Sequence, residues 1–360
     1  MASQLRDRID AGEWPFGGRL PTEAELSKAY SVGINTVRRA VELLVDEGVV
    51  TRRQGSGTYV AVRRHGNGSQ FVGVIVPSTS YYFPSVIAGI ERVTGAAGAR
   101  LMLASSDYDP ALELVRIREL IESGASGLLI APTLHLGDPT DQLEAIRSLP
   151  VPTMLLERRP PSPAPDDTLS YICTDVVGGG YSAVRHLVDQ GRRRIGFLGR
   201  SDTATADQVY EGYRRAISDL GLDQVPSAAV RAPEWPAAAL EAYTHIARDE
   251  RLDAIFCLGD REATALLPRL RAAGIRVPAD LAVVAYDDEV ADVAEVPLSA
   301  VSPPKFEVGR LAAATLLRQI ALNETRHAVR TLLQPSITVR ASSVLEPSTE
   351  PAEQPAIAAH

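Results

Sequence analysis

The spacing of apolar residues changes twice along the chain. From Val37 to Val45 they recur at i, i+3, i+4, i+7 and i+8, which predicts a helix over about 35–47 with one apolar face. After Gly48, two short runs rich in β-branched residues flank a glycine-rich tip, and this pattern predicts a hairpin. From Phe71 onward, short continuous apolar runs alternate with amphipathic stretches. That alternation predicts parallel strands whose two faces are covered by helices.

A second helix is predicted just before the first of these patterns. Thr22 and Glu25 form a T-x-x-E capping box, in which a hydroxyl and a carboxylate satisfy the first free amides of a helix over 23–30. Residues 31–33 form a tight turn, so helix, turn, helix and basic hairpin follow one another. This order predicts a winged helix-turn-helix whose second helix fits the DNA major groove. The alternative is a small α+β domain with solvated arginines.

Three segments of this region carry a family resemblance. LPTEAEL, TVRRAVELLVDEGVV and GSGTYV, within about residues 4–60, resemble the DNA-binding domain of GntR-type bacterial regulators. The resemblance implies that the second helix reads bases and that the wing tip reaches the minor groove. The family usually has Ser-Arg at Gly33-Ile34 and often Arg at Ala24, so the contacts here must differ. We expect Thr36, Arg38, Gln54 and Gly55 to lead a DNA-binding set of Thr22, Asn35, Thr36, Arg38, Arg39, Arg52, Arg53, Gln54, Gly55, Ser56 and Gly57.

Charge is distributed unevenly along the 360 residues. The net charge is −8, yet residues 1–64 hold ten basic and eight acidic side chains, a net of +2. An acidic bulk with a slightly basic head is typical of a protein that touches nucleic acid at one end only. Cys173 and Cys257 lie in apolar runs, which predicts buried free thiols. The charged N-terminus is unlike a signal peptide and no apolar run reaches membrane-spanning length, so we expect a cytoplasmic protein.

These patterns give an α/β fold with four regions. We predict a winged helix-turn-helix over 1–62, a flexible linker over 63–70, a two-lobed domain over 71–345 and a disordered tail over 346–360. The two-lobed domain would contain two parallel sheets with flanking helices. Ligands of such sheets bind outside the carboxyl ends of the strands.

Polar residues follow several predicted strands at this position. They are Ser78, Thr79, Thr133, Glu157, Arg158, Asp175, Trp235, Asp260, Asp287 and Asp288. Carboxylates, an arginine and an aromatic ring in one cleft suit a polyol, because charged groups hydrogen bond vicinal hydroxyls and a ring packs on C–H surface. Three alternatives stay open. Asp260 and Asp287 could be helix caps that brace loops, Trp235 could be plain packing, and Arg158 could be a surface charge.

The same region resembles the LacI-type sensor domain over about 70–343. The similarity is carried by YYFPSVIAGIE, the TDVVGGG to GFLG run, LDAIFCLGD and the VPADLAVVAYDD to AATLL run. The resemblance implies a periplasmic-binding-protein-like fold, which LacI-type sensors share with periplasmic sugar-binding proteins. A GntR-type head joined to such a sensor resembles the bacterial arabinose repressor family. The resemblance implies a homodimer and an effector site in which Tyr82, Phe83, Glu157, Arg158, Asp175, Trp235, Asp260 and Asp287 take part. Trp235 would stack on the ligand, Asp287 would accept hydroxyl protons, and Asp175 and Asp260 would line or brace the cleft.

Departures from the sensor pattern leave the effector open. Val209 replaces a usual arginine, Gly259 replaces an asparagine, and Ala285 replaces a glycine. A missing buried hydrogen bond changes selectivity by orders of magnitude, so an arabinose effector does not follow from the resemblance.

The expected function is therefore a sugar-responsive regulator of transcription, most simply a repressor. The six histidines show no metal spacing, no G-x-S-x-G motif is present, and no catalytic residues, metal or cofactor are predicted. The Gly178–Gly180 run precedes a helix and indicates close helix–strand packing. Two other classes are a sugar-binding protein of uptake or signalling, opposed by the DNA-binding head, and a two-lobed α/β enzyme, opposed by the lack of a nucleophile.

Overall fold

The fold is described from a computed structural model. It covers residues 1–10, 13–14, 18–46, 49–53, 56–60, 70–134, 139–161, 167–200, 203–230, 237–322 and 327–344. The predicted linker, apart from Gln70, and the predicted tail lie outside these residues, as do Gln54, Gly55 and Trp235. Within this part of the chain, the helices are α1 (Ala2–Asp10), α2 (Glu23–Tyr30), α3 (Ile34–Asp46), α4 (Phe83–Ala96), α5 (Pro110–Glu122), α6 (Thr140–Arg147), α7 (Val176–Asp189), α8 (Ala204–Asp219), α9 (Ala237–Asp249), α10 (Asp260–Ala272) and α11 (Lys305–Leu322).

The strands form a hairpin and two larger sheets. They are β1 (Val50–Arg53), β2 (Gly57–Val60), β3 (Phe71–Val76), β4 (Arg100–Ser105), β5 (Ala125–Ile130), β6 (Thr153–Leu156), β7 (Ser170–Thr174), β8 (Ile195–Arg200), β9 (Ala228–Val230), β10 (Ala254–Cys257), β11 (Ala282–Tyr286), β12 (Ser299–Ser302), β13 (Arg330–Leu333) and β14 (Ser336–Thr338). β1 and β2 pair antiparallel, with Val50 opposite Val60. The larger sheets have the orders β13-β7-β6-β5-β3-β4 and β14-β12-β11-β10-β8-β9.

The chain divides into two compact units. The first comprises Met1–Thr133, Thr140–Ile172 and Phe306–Thr331, and the second comprises Leu134–Pro139, Cys173–Lys305 and Leu332–His360. Pairing from β3 to its neighbours β4 and β5 is parallel, as is pairing of β10 with β8 and β11. The predicted α/β class with two parallel sheets is confirmed. Antiparallel pairing of β12 with β14 adds an edge that the apolar pattern did not predict.

The head, meaning α1 to α3 with β1 and β2, has its own apolar core. Leu5 from α1, Val37 and Leu44 from α3 and Val50 from β1 are each fully buried there. These positions on α3 are the face that the helical spacing predicted. Burial of this face leaves the intervening polar residues of α3 at the surface.

Glycines allow two pairs of helices to approach closely. In the first unit, a Cβ on Gly89 of α4 would collide with the Phe306 carbonyl of α11. In the second unit, a Cβ on Gly180 of α7 would collide with the Val209 carbonyl of α8, and one on Gly212 would meet the Val177 carbonyl. The predicted helix–strand role of the glycine run is therefore corrected in part, because Gly180 serves helix–helix packing.

The preceding glycine of that run, Gly179, lies against the Tyr286 ring of β11, as predicted for helix–strand packing.

The two cysteines, Cys173 and Cys257, are buried free thiols, as expected. Burial raises the pKa of Cys257 well above its ordinary value.

Candidate DNA-binding surface and effector-binding residues

The capping box of the head forms as predicted. The Thr22 hydroxyl accepts from the Glu25 amide at 3.3 Å, and the Glu25 carboxylate accepts from the Thr22 amide at 2.7 Å. Hydrogen bonds that the Thr22 amide and hydroxyl donate to the Glu25 carboxylate hold the pKa of this carboxyl below its ordinary value. The cap thereby fixes the start of α2.

The polar face of α3 is exposed along its whole first half. Asn35, Thr36, Arg38 and Arg39 are all exposed, and Ile34, the first residue of α3, is 45% exposed. The structure therefore places the predicted residues of this helix together on one surface. Ile34 is an additional candidate, since an exposed apolar side chain can contact a thymine methyl group.

The wing adds a second basic element beside this helix. Arg52 and Ser56 are exposed, and Gly57 has a φ of 124°, a value that favours glycine. Arg53 is the last residue of β1. The Ser56 hydroxyl and the Tyr59 hydroxyl share a hydrogen bond of 2.6 Å.

Arg19 is a basic residue of this surface that the sequence analysis missed. Its backbone bridges Tyr59 of β2, while Leu20 N donates to Thr58 O at 2.8 Å. The exposed guanidinium reaches Gly57, where an added Cβ would lie 2.9 Å from Arg19 Nε. Its position before the LPTEAEL segment was the available signal, but the pairing with β2 is visible only in three dimensions.

Two of the predicted DNA-contacting arginines are held by one carboxylate. Arg38 Nε lies 3.2 Å from Glu23 Oε2, and Arg52 Nη2 lies 3.0 Å from Glu23 Oε1. A longer contact of 3.8 Å joins Arg52 Nη1 to Glu42. Glu23 thereby connects the start of α2 with both α3 and the wing.

In the first unit, the predicted effector residues Tyr82, Glu157 and Arg158 form a polar cluster. The Tyr82 hydroxyl donates to Glu157 Oε1 at 2.8 Å, and Glu157 has a φ of 55°. Arg158 Nη1 donates to the Pro132 carbonyl at 2.8 Å. Burial lowers the pKa of Arg158, against the raising influence of nearby Tyr108 and acidic groups. The interpretation of Arg158 as a plain surface charge is therefore not supported.

The cluster also contains residues that the sequence analysis did not predict. The guanidinium of Arg158 lies 5.6 Å from the centre of the Tyr108 ring, and Tyr108 is 48% exposed. Glu113 is fully buried, and its carboxylate accepts from Thr133 N at 2.7 Å and Gln142 Nε2 at 2.6 Å. Burial raises the pKa of Glu113 even though these hydrogen bonds lower it. Glu113 lies within the sequence of α5, where a glutamate is usually a solvent-exposed helix residue, so its burial could not be predicted from the sequence.

Phe83 differs from the expectation of a ligand-facing ring. It is only 4% exposed, and its ring meets the Tyr82 ring edge-on with centroids 5.4 Å apart. The first residue of α4 thus faces inward and supports Tyr82, while Tyr82 stays partly exposed.

In the second unit, the carboxylates Asp175 and Asp260 both serve the backbone. Asp175 caps α7 by accepting from Gly178 N at 3.0 Å. Asp260 is fully buried, and its Oδ2 accepts from Glu289 N at 2.5 Å and Val290 N at 2.6 Å. Asp175 is thus a helix cap, and for Asp260 this geometry supports the alternative in which its carboxylate braces a loop.

The loop that Asp260 holds also contains Asp287. Asp287 has a φ of 90° and Asp288 a φ of 57°, so two consecutive residues adopt a left-handed backbone. Asp288 accepts from Arg340 Nη1 at 2.7 Å, Glu289 pairs with Lys305, and the Asp287 carbonyl accepts from the Lys305 ammonium. Burial alone would raise the pKa of Asp288, but hydrogen bonds from Arg340 and Ser302 lower it overall.

The family departures have visible structural consequences. Val209 is fully buried in the core of the second unit, so it presents no polar group. Gly259 has a φ of 102°, and a Cβ there would collide with the Glu262 carboxylate. The space beside Gly259 is therefore occupied by an acidic group of α10.

Comparison with known proteins gives two matching families. Residues 1–60 match the bacterial regulatory proteins of the gntR family, and residues 184–343 match the periplasmic binding protein-like domain. HTH-type transcriptional repressor PurR of Vibrio campbellii is 30% identical over 281 residues, which cover 76% of this chain and 81% of that protein. The chain belongs to the bacterial transcriptional regulators with a gntR-type head and a periplasmic-binding-protein-like domain.

Relatives of this regulator extend over nearly its whole length. The arabinose metabolism transcriptional repressor of Geobacillus stearothermophilus is 29% identical over 356 residues, which cover 95% of this chain and 96% of that protein. A solved complex of the transcriptional regulator CelR with cellobiose covers 90% of this chain and all of its own, with 26% identity and a TM-score of 0.64. Among the residues described for the regulator, the helices are too short or too polar to cross a bilayer.

Proposed function

We propose that this regulator is a repressor of carbohydrate-utilisation genes and that a small sugar-like effector controls its binding to operator DNA. The main support is the similarity to an arabinose metabolism transcriptional repressor across 95% of the chain, head and sensor together. A pentose such as arabinose is the first effector to test. The protein would act as a homodimer in the cytoplasm, with two heads on the half-sites of one operator.

The proposed DNA-binding surface consists of α3 and the wing. Arg39 supplies positive charge for phosphates, Arg38 and Arg52 can donate either to phosphates or to guanine edges, and Asn35 and Thr36 offer hydrogen bonds to base edges. The remaining predicted residues, Thr22, Arg53, Gln54, Gly55, Ser56 and Gly57, complete the proposed set. This assignment is supported by the exposure of Thr22, Asn35, Thr36, Arg38, Arg39, Arg52 and Ser56.

The proposed effector residues differ in role. Hydroxyl groups of the sugar would be bound by Glu157, Arg158 and Asp287, whose charged side chains form strong hydrogen bonds. Tyr82 would add a hydroxyl and an aromatic ring to the same site. Trp235 would stack on the sugar. Asp175 and Asp260 would fix the backbone around Gly178 and Glu289, and Phe83 would support Tyr82. The hydrogen bonds within each unit support the roles proposed for Asp175 and Asp260, and they bring Tyr82 and Glu157 together.

Calorimetry with a panel of pentoses, hexoses and disaccharides tests the effector assignment. One sugar should bind with a dissociation constant in the micromolar to millimolar range, and Asp287→Ala should weaken it at least tenfold. Exposed Asp292→Ala is the matched control, since it lies close by in sequence but outside the proposed set. If no sugar binds, the effector assignment is wrong, and the regulator responds to another class of molecule.

Anisotropy with the promoter DNA upstream of its own gene tests DNA binding. Tight binding to this duplex, lost in Arg38→Ala, is expected of a repressor. A sugar-binding protein of uptake or signalling would bind a sugar without binding the duplex. An enzyme would convert the sugar instead of returning it unchanged.

A further inference from the structure

Glu23 occupies a position in the head that the proposed DNA-binding set does not include. It is the first residue of α2, directly after the cap Thr22. Each of its carboxylate oxygens contacts a different arginine. Oε2 lies 3.2 Å from both Nε and Nη2 of Arg38, and Oε1 lies 3.0 Å from Nη2 of Arg52. One side chain therefore joins the helix and the wing strand that are proposed to meet DNA.

The cluster is too exposed to hold the fold of the head together. The Glu23 side chain is 28% exposed, and those of Arg38 and Arg52 are 51% and 42% exposed. Ion pairs at such positions contribute little to stability, because water and salt screen them. The buried face of α3 and the core of the head provide that stability instead. The main effect of the cluster is therefore on the orientation of the two arginines.

The contact geometry restricts both guanidinium groups. Because Arg38 presents Nε and Nη2 to one oxygen, the plane of its guanidinium is set, and Nη1 remains for another acceptor. Arg52 is similarly drawn towards Glu23, with Glu42 3.8 Å from its other terminal nitrogen. The helix N-terminus favours a negative charge at Glu23, so the carboxylate has a reason to stay in place. Two long side chains are thereby ordered before DNA arrives.

Two roles for such a carboxylate can be distinguished. A competitor would cover the arginines and repel phosphates, which weakens binding to all DNA alike. A positioning group would leave the arginines accessible but oriented, which favours the matching sequence over others. The two arginines remain about half exposed, and this favours the second role.

We propose that Glu23 is a positioning residue for DNA recognition, which sets Arg38 of α3 and Arg52 of the wing in one joint orientation. This inference rests on the DNA binding proposed above and adds to it the residue on which sequence discrimination depends. Arg38 and Arg52 make the contacts, and Glu23 acts through them.

The test compares two duplexes on the full-length protein. The first is the sequence that the wild-type protein selects from a random pool, and the second is the same duplex with its bases shuffled. Glu23→Gln and Glu23→Ala should lower the ratio of the two affinities at least fivefold, while affinity for the shuffled duplex is unchanged or rises. Glu13→Gln is the matched control, because Glu13 is also an exposed head glutamate paired with an arginine, Arg8.

A double-mutant cycle separates positioning from a structural effect. In a protein that already carries Arg38→Ala and Arg52→Ala, Glu23→Ala should not lower the ratio further, whereas a general loss of head structure would lower both affinities and the melting temperature. If Glu23→Gln tightens binding to both duplexes equally, or changes neither, the inference is wrong. If the wild-type protein selects no sequence, the DNA-binding assignment itself fails and the inference falls with it.

Discussion

Replacing Asp260 with alanine should release the loop that contains Asp287. Asp260 is fully buried, and one carboxylate oxygen accepts from both Glu289 N and Val290 N. Alanine removes the acceptor and leaves two backbone donors without their charged partner. The loop then loses its hold on Asp287 and Asp288, which adopt left-handed backbone angles of 90° and 57°.

The size of the effect follows from the two orphaned donors. A fully buried donor left without a partner costs roughly 1–3 kcal/mol, and these two donors are only partly buried, so the opening free energy of the loop should fall by about 2 kcal/mol. The strained residues add to this, because strain at such angles persists only while surrounding contacts enforce it. Asp260→Asn should cost less than alanine, since the amide oxygen can still accept from both donors.

Hydrogen exchange of the peptide over 282–302 measures this loop directly. A fall of 2 kcal/mol corresponds to about 30-fold faster exchange at the Glu289 and Val290 amides. Asp292→Ala, an exposed change in the same peptide, should leave these amides unaffected. If Asp260→Ala exchanges no faster than the Asp292 control, then Asp260 does not hold the loop and its assigned role is wrong.

Three further changes probe other parts of the fold. Thr22→Ala removes the cap of α2 and should lower the stability of the head by about 0.5–2 kcal/mol in urea unfolding. Gly212→Ala places a methyl group against the Val177 carbonyl, so it should cost about 1–3 kcal/mol and lower the melting temperature. Asp167→Asn removes a carboxylate that accepts from Arg147 at 2.8 Å, and this hydrogen bond lowers the pKa of Asp167. Because the folded pKa is depressed, the stability it contributes is present above the unfolded pKa near 4 and is lost as pH falls through the folded pKa. The difference between Asp167→Asn and wild type, about 1–3 kcal/mol at pH 7, should therefore vanish in acid.

Matched controls make each of these results decisive. Thr22→Ser keeps the capping oxygen and should stay close to wild type. Gly95 lies in α4 with open space around its Cβ position, so Gly95→Ala should stabilise by about 0.4–1 kcal/mol. Asp141 is exposed, and Asp141→Asn should show no comparable pH dependence. A control that behaves like its test variant would contradict the corresponding contact.

The sequence predicted those features that depend on local pattern. The helix predicted over about 35–47 lies within one residue of the bounds that α3 has, and its apolar face is buried as predicted, because burial on one side of a helix imposes helical spacing. The parallel strands were found because their two covered faces require continuous apolar runs. The two ends of α3 lie one residue before the predicted ones, since the ends of helices fray and carry weak signals.

Features created by pairing across the chain were missed. β12, β13 and β14 have three or four residues each and include serine, threonine and arginine, so they show no apolar run. Their strand character comes from neighbours, such as the pairing of Ala300 with Thr338. Polar clusters have the same origin. Nothing in the spacing of Glu23, Arg38 and Arg52 shows that α2, α3 and β1 bring them together.

For the candidate sites, the sequence located polar groups better than it assigned their roles. Asp260 and Asp287 were predicted from their places after strands, and both lie at the loop that follows β11 or against it. The apolar pattern predicts which residue follows a strand, but it does not predict whether the carboxylate of that residue faces solvent or a backbone amide. Burial of Asp260 and Phe83 is decided by the packing of distant segments, so it could not be predicted locally.

Control of DNA binding by a sugar is tested most directly by measuring the affinity of the protein for a selected operator duplex with and without each sugar. A repressor controlled by an effector must bind the duplex with different affinity when one sugar is present, by a factor of at least five. By linkage, the duplex must change the affinity for that sugar by the same factor. A protein that binds both the duplex and the sugar, with neither affinity altered by the other, would contradict the proposal that a sugar controls this regulator.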